Sequence, residues 1–317
     1  MNQVSLAGRT HTIELPLGPT RTVNAMLVLG DALTLIDTGV LDPLSLAALE
    51  EAFSARGLQL SDLDQIVITH PHHDHFGAAA ELVRRSGATL IGDGVDVMAA
   101  FPRSFEPNGV FRRMLYAESG APPELLERWR ERSASLINDC ESVVADRSLS
   151  NGDMVMIGGS RWMAISTPGH AFSSICLFEP GSGLLASGDI LLGNGASNVT
   201  CYETKRPGRW LLDIIDSLTK LASYPVVRAH TGHGTVIEDA SRVILLRRER
   251  CYQRLDEVAA LIAESPRTAS EIAVSIYPKS IASSSMGLSQ SIGYLEALEA
   301  SGRAQSALTG DARQYWA

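Results

Sequence analysis

Residues 65–77 read Gln65-Ile66-Val67-Ile68-Thr69-His70-Pro71-His72-His73-Asp74-His75-Phe76-Gly77. The β-branched run before His70 predicts a short strand, and the text from Gly77 to residue 85 predicts a helix. The histidines therefore sit where a strand ends and a helix begins. In extended backbone, positions 70 and 72 point the same way, so two imidazoles can grip one cation. The chain then turns, and Asp74 and His75 come from the helix start, displaced far enough to grip a second. The result is an H-x-H-x-D-H pattern with two ligand pairs. A solvated polar loop is the bland alternative, and four ligand-type residues at fixed offsets count against it.

The other histidines are not scattered. Of eight, only His11 lies outside three clusters, at 70–75, at 170 and at 230–233, each beside a Gly or Pro turn signal. His170 ends Thr167-Pro168-Gly169-His170, Asp189 ends Ser187-Gly188-Asp189, and His233 sits in Gly232-His233-Gly234. Each follows a predicted strand, and strand ends on one rim of a sheet can converge in space. The glycines allow turns that aim a side chain into a cleft. Between His230 and His233, the flanking glycines favour His233. His73 is expected to face solvent or bond a neighbour, and His11 to be structural or exposed.

This ordered set resembles the metallo-β-lactamase superfamily, over about residues 10 to 240, and Asp37-Thr38-Gly39 is similar to that family's early Asp-Thr-Gly. The resemblance implies an α/β fold, an αββα sandwich. It implies that His70, His72 and His170 hold a first metal, that Asp74, His75 and His233 hold a second, and that Asp189 bridges them. Asp37 would support the site from behind.

The rest of the chain fits an α/β sandwich with sheets covered by helices. Strands are predicted at 11–17, 22–29, 32–36, 65–69, 88–91, 154–157, 162–166, 175–178, 184–187 and 226–229. A helix at 43–56 would set Leu44, Leu46, Leu49 and Phe53 on or near one face, and another spans 210–222. Prolines punctuate a helical insertion at about 101–138, with pieces at 110–118 and 124–138. From 240 the text changes: helices at 240–264, 268–276 and 285–300 precede a hairpin at 305–315. That is winged-helix grammar. The domain expectation is 1–240 for the catalytic domain and 241–317 for a winged-helix-like C-terminal domain.

Imidazole and carboxylate ligands suit two divalent metal ions, zinc foremost, with iron or manganese also compatible. A pair of such ions activates water, and Asp74 is the natural acid/base residue. The expected activity is hydrolysis of a small ester-like substrate. A thioester of acyl-CoA or hydroxyacylglutathione type comes first, as in the glyoxalase-II-like and thioesterase-like relatives that the layout resembles. Lactone hydrolysis and metal-dependent endoribonuclease or phosphodiesterase activity are the alternatives. Tyr202, Lys205 and Arg206, with Arg209, follow the bridging carboxylate and could clamp a substrate anion. Arg103, Arg112 and Arg113 of the insertion could line the same pocket.

Charge narrows the partners. Against 27 Lys and Arg stand 36 Asp and Glu, a formal charge of −9, which argues against a nucleic-acid surface. The candidate recognition helix at 285–300 has no Lys or Arg and carries Glu296 and Glu299. The partner expectation is thus a small-molecule substrate, without nucleic acid or membrane, with a homo-oligomer left open. The apolar stretch 25–36 is too short for a membrane helix and lacks a basic leader. Cys140, Cys176, Cys201 and Cys251 form no C-x-x-C pair and read as reduced thiols of a cytoplasmic protein.

Overall fold

The computed structural model describes residues 6–93, 105–195, 197–202, 208–282 and 284–317. Strands β1 (Thr10–Pro16), β2 (Thr22–Val28), β3 (Thr34–Ile36), β4 (Gln65–Ile68) and β5 (Thr89–Gly92) form the first sheet in sequence order. β1 to β3 run antiparallel, whereas β3–β4 and β4–β5 are parallel. Parallel neighbours need a crossover, which helices supply. These are α1 (Pro43–Ser54), then α2 (His73–Phe76) and α3 (Ala79–Ser86). After β5 come α4 (Phe105–Glu118) and α5 (Pro123–Ser135), the latter running into a 3-10 turn at Leu136–Asp139.

The second sheet holds β6 (Met154–Ile157), β7 (Ser160–Ser166), β8 (Ile175–Glu179), β9 (Leu184–Ala186) and β10 (Arg228–His230), ordered β10-β9-β8-β7-β6. Only β9–β10 is parallel, and helix α6 (Trp210–Leu221) lies in that crossover.

Side-chain alternation along the strands divides the apolar residues into three layers. On β4, Ile66 and Ile68 face outward with Leu49 and Phe53 of α1 and Leu82 of α3. Val67 faces inward, where Met26, Val28 and Ile36 meet Trp162, Ala164, Ile175 and Leu177 of the second sheet. The other face of that sheet, with Ile165, Cys176 and Phe178, packs against Ile214 and Leu218 of α6. Strands buried on both faces read as nearly continuous apolar text. The outcome is the expected αββα sandwich.

Helix α1 departs from expectation in its facing. Leu49 and Phe53 are buried and Leu46 partly so, as expected, but Leu44 is exposed and Ser45 is buried instead. Asp42 caps the helix by accepting from the Leu44 amide at 2.8 Å, which fixes the rotation so that position 45 meets the sheet.

Beyond the sandwich run α7 (Ala240–Glu264), α8 (Ala269–Ile276), the short α9 (Lys279–Ala282), α10 (Ser285–Ala300), and a hairpin of β11 (Gln305–Thr309) and β12 (Ala312–Trp316). Leu288, Ile292, Leu295 and Leu298 of α10 share one apolar cluster with α6, with Ile244 of α7, and with Tyr116 and Trp129 of the insertion. Arg313 pairs with Glu118 at 3.0 Å, and the Tyr116 hydroxyl meets that of Ser289. The insertion and the C-terminal helices are thus packed together over the second sheet. On α10, among the residues whose burial is described, only Met286 and Ala300 are exposed.

Candidate metal centre

Each expected ligand lies at or just past a strand end. His70 and His72 follow β4, Asp74 and His75 lie in α2, and His170, Asp189 and His233 follow β7, β9 and β10. His72 Nδ1 stands 3.0 Å from His70 Nε2 and 3.0 Å from His170 Nε2. Asp189 sits between groups: Oδ1 is 3.4 Å from His75 Nε2, and Oδ2 is 3.4 Å from both His170 Nε2 and His233 Nε2. Asp74 Oδ2 is 3.4 Å from His233 Nε2. Three sets therefore have ligand atoms within 4.8 Å of one another: His70, His72 and His170; His70, His75 and Asp189; Asp74, His75 and His233. These clusters can bind metal ions. His72, Asp74 and His233 are part-exposed, which gives the centre its open side.

The far ring nitrogens show why the near ones face inward. His170 Nδ1 donates to the Asn198 carbonyl at 3.0 Å and His233 Nδ1 to the Thr22 carbonyl at 2.7 Å. His75 Nδ1 donates to Asp37 Oδ2 at 2.7 Å. The Thr69 hydroxyl donates to Asp37 Oδ2 at 2.8 Å, leaving it free to accept from His70 Nδ1 at 3.0 Å. With each outer nitrogen held by an acceptor, the Nε2 atoms of these four rings are the ones turned toward the centre. The Nε2 atoms of His70 and His170 both face His72 Nδ1, whose single proton could satisfy only one. A cation satisfies all three, and zinc–nitrogen bonds of about 2.0–2.1 Å place tetrahedral ligands roughly 3.3 Å apart. His75 Nε2 and Asp189 Oδ1 are buried without a hydrogen-bond partner, 3.4 Å being too long for one. The residues present fit divalent cations.

Asp37 is the keystone behind the centre. Besides His75 and the Thr69 hydroxyl, it accepts from the Thr69 amide at 2.8 Å, and its own φ is +61°. An aspartate tolerates that left-handed backbone better than most residues. Thr38 adds amide and hydroxyl bonds to the His75 carbonyl at 2.8 and 3.0 Å. At Gly232, a Cβ would overlap Asp189 Oδ1 and stand 2.6 Å from His75 Cε1. Only glycine fits so close an approach.

Electrostatics split the histidines into two kinds. Burial, reinforced by neighbouring imidazoles, pushes His70 and His72 well below the usual range, and burial lowers His170. These rings are neutral, the form that ligates. Burial also opposes charge on His75, yet Asp189 and Asp37 hold it well above its ordinary value. Against the same burial, the facing carboxylates of Asp189 and Asp74 raise His233 to about 10. Burial works against both carboxylates, but His73 and His233 hold Asp74 low and His75 and His233 hold Asp189 low. Protons here compensate buried carboxylates where a cation would do the same.

The remaining candidates part company. His73 lies outside the three sets, 3.7 Å from Asp74. His230 is buried away from them, its Nδ1 2.7 Å from the Thr12 hydroxyl. Tyr202, expected to face substrate, is buried in the core cluster, with ring contacts to Phe172 at 5.9 Å and Trp210 at 6.5 Å. Its apolar ring is better satisfied there than in water. Arg209 pairs with Asp213 and Asp216 of α6 instead of reaching for an anion. Arg112 donates to the Cys201 carbonyl at 2.8 Å, tying the insertion to the segment after Asp189, while Arg113 is exposed. Lys205, Arg206 and Arg103 lie outside the described residues. Asn24 was not expected to matter. It bonds the Thr231 and Gly234 carbonyls at 2.9 and 2.8 Å and so braces the His233 turn. Its signal in the sequence is a lone buried amide inside an apolar strand.

The chain belongs to the metallo-beta-lactamase superfamily, whose sequence profile matches residues 18–233. That membership places it among the superfamily's metal-dependent hydrolases. The probable metallo-hydrolase YqjP of Bacillus subtilis is 30% identical over 301 residues, covering 92% of this chain and 89% of its own. A hydroxyacylglutathione hydrolase of Cereibacter sphaeroides is 26% identical over 213 residues, 67% of this chain and 63% of that protein. Among solved structures, a metallo-beta-lactamase family protein of Thermus thermophilus superposes with a TM-score of 0.83 at 23% identity, covering 97% of this chain and 98% of its own. A beta-lactamase domain protein of Burkholderia ambifaria gives 0.81 at 22% identity, covering 99% and 94%. These two likenesses concern the fold.

Proposed function

We propose that this protein is a dinuclear hydrolase of small ester-like substrates, with thioesters first. His70, His72 and His170 would hold one ion, Asp74, His75 and His233 the other, and Asp189 would lie across both. The observation that carries this is the sharing of ligands: His70 and His75 each belong to two of the three sets, and Asp189, in the middle set with both, also stands 3.4 Å from His170 and His233 of the outer two. Zinc is the preferred metal because nitrogen and carboxylate ligands are its ordinary donors. When bound, such ions polarise a carbonyl and lower the pKa of a water towards ~7.

The chain's own residues supply the rest. Asp74, at the open side, orients the attacking water and takes its proton. The water oxygen bonds to the acyl carbon, the carbon–sulfur bond breaks, and the sulfur leaves as a thiolate that needs no dedicated acid. The hydroxyacylglutathione hydrolase relatives support a thioester.

The C-terminal segment supports a small substrate. We take residues 1–240 as the catalytic domain and 241–317 as a winged-helix-like domain. Its would-be recognition helix α10 is buried almost throughout, so it offers no face to a groove. Unpaired thiols, three of them buried, are in keeping with a reducing compartment such as the cytoplasm.

The test is metal analysis of the purified protein with a panel of thioesters, lactones and phosphodiesters. Thioester hydrolysis lost to EDTA and restored by zinc is expected. Full activity of metal-free protein overturns the reading, as does EDTA-sensitive cleavage of single-stranded RNA in place of thioesters.

A further inference from the structure

We propose that helix α10 positions a ligand of the metal centre: Gly293, through its contact with Val199, fixes the Asn198 carbonyl that orients His170. This rests on the hydrolase reading above and adds two positioning residues to it, one of them from the C-terminal segment.

The link is a short chain of contacts. His170 Nε2 stands 3.0 Å from His72 Nδ1, inside the first ligand set, while His170 Nδ1 donates to the Asn198 carbonyl at 3.0 Å. An acceptor on the outer nitrogen sets how such a ring is aimed at a metal. That carbonyl belongs to the planar peptide unit joining Asn198 to Val199, so its direction follows the placing of Val199. Val199 is buried in the apolar cluster with Leu288, Ile292 and Leu295 of α10. A Cβ on Gly293 would stand 2.7 Å from Val199 Cγ1 and 3.3 Å from its Cβ and Cγ2. Helix and segment therefore meet with no room for a methyl group. Glycine in a helix interior costs about 1 kcal/mol relative to alanine, and this close approach is a physical reason to bear it.

The segment depends on side chains for its course. Among the described residues, 197–201 make no backbone–backbone hydrogen bond. Gln290 Nε2 stands 3.4 Å from the Ser197 carbonyl and from Asn198 Oδ1. The Cys201 thiol donates to the Ser289 carbonyl at 3.7 Å, and Arg112 of α4 donates to the Cys201 carbonyl at 2.8 Å. Ser289, Gln290 and Gly293 are three and four residues apart and so neighbours on one face of α10. That face is laid along the segment that carries the His170 acceptor.

The experiment measures cobalt(II) binding, by competition with a chelator and by visible absorption, in the native full chain, G293A, V199A and G293A/V199A. In G293A the new methyl displaces Val199. Affinity for one of the two ions is expected to fall about tenfold, with an altered spectrum. In G293A/V199A the new methyl occupies the space of the two it replaces, and affinity and spectrum are expected to return towards native. A helix merely damaged by the substitution would gain nothing from V199A. Native affinity and spectrum in G293A overturn the proposal, as does a loss that V199A leaves unrelieved. Should G293A fail to fold, V199A reads the same contact: weaker cobalt binding supports the proposal, and native binding overturns it. If the native protein binds no cobalt, the hydrolase reading fails on its own. The Nδ1 proton resonance of His170, identified by its loss in H170Q, then reports the contact without metal. Faster solvent exchange in G293A, slowed again in the double variant, supports the proposal, and equal exchange overturns it.

Discussion

Asp37 Oδ2 accepts the Nδ1 proton of His75 at 2.7 Å while both residues are almost wholly buried. That one contact aims His75 Nε2 at Asp189 and joins the Asp-Thr-Gly turn to the cluster. In D37N, an amide replaces two of the acceptor positions now used by Thr69 and His75. Such outer partners tune ligation strongly. Competition with a chelator should show metal affinity falling about 10- to 100-fold. Unchanged affinity would remove Asp37 from the proposed centre.

Asp189 touches His75, His170 and His233 at once. On the proposed assignment, D189A leaves neither ion with a shared carboxylate. Turnover should be abolished, and metal content measured by atomic emission should drop. Full activity in that variant would falsify the bridging role.

Gly232 makes a steric prediction. A methyl group there overlaps the Asp189 carboxylate, and the ring of His75 blocks its retreat. In G232A, metal content should fall and the midpoint of thermal unfolding should drop, overpacking costing about 1–3 kcal/mol. A variant with native metal content and stability would mean that the turn yields without cost.

His230 gives a pH dependence away from the ligands. Burial, then Arg228 and His11, lower its pKa from the ordinary value to about 4, and its buried Nε2 has no partner. The unfolded chain binds this proton below about pH 6.5. The folded chain resists until about 4. Stability from the neutral ring is therefore complete above about 6.5 and lost as pH falls towards 4, by up to about 3 kcal/mol. Denaturant unfolding between pH 7 and 4 should be flatter in H230Q than in the native protein. Parallel curves would contradict the assignment.

The seven residues proposed for the centre were legible because each belongs to a local pattern. His70, His72, Asp74 and His75 share one strand-to-helix junction, and His170, Asp189 and His233 each follow a strand with a glycine alongside. Strand-end chemistry depends on short-range backbone rules, which sequence carries openly. Tyr202 misled because a loop position after a ligand suggests exposure, whereas Phe172 and Trp210, distant in sequence, enclose it. Helix α10 carried the composition of a poor DNA reader, but its burial on nearly every side came from α6, α7, α8 and the insertion.

The sequence alone pointed to an α/β sandwich through its mixture of strands and helices, to the αββα layering through the family that its ordered motifs resemble, and to the set of ligand-type side chains through their turn contexts. Tertiary structure alone decided which nitrogen of His75, His170 and His233 faces the centre, because the outer acceptors on Asp37, Asn198 and Thr22 lie from 28 to 211 residues away. Long-range packing sets such distances, and no local spacing encodes them.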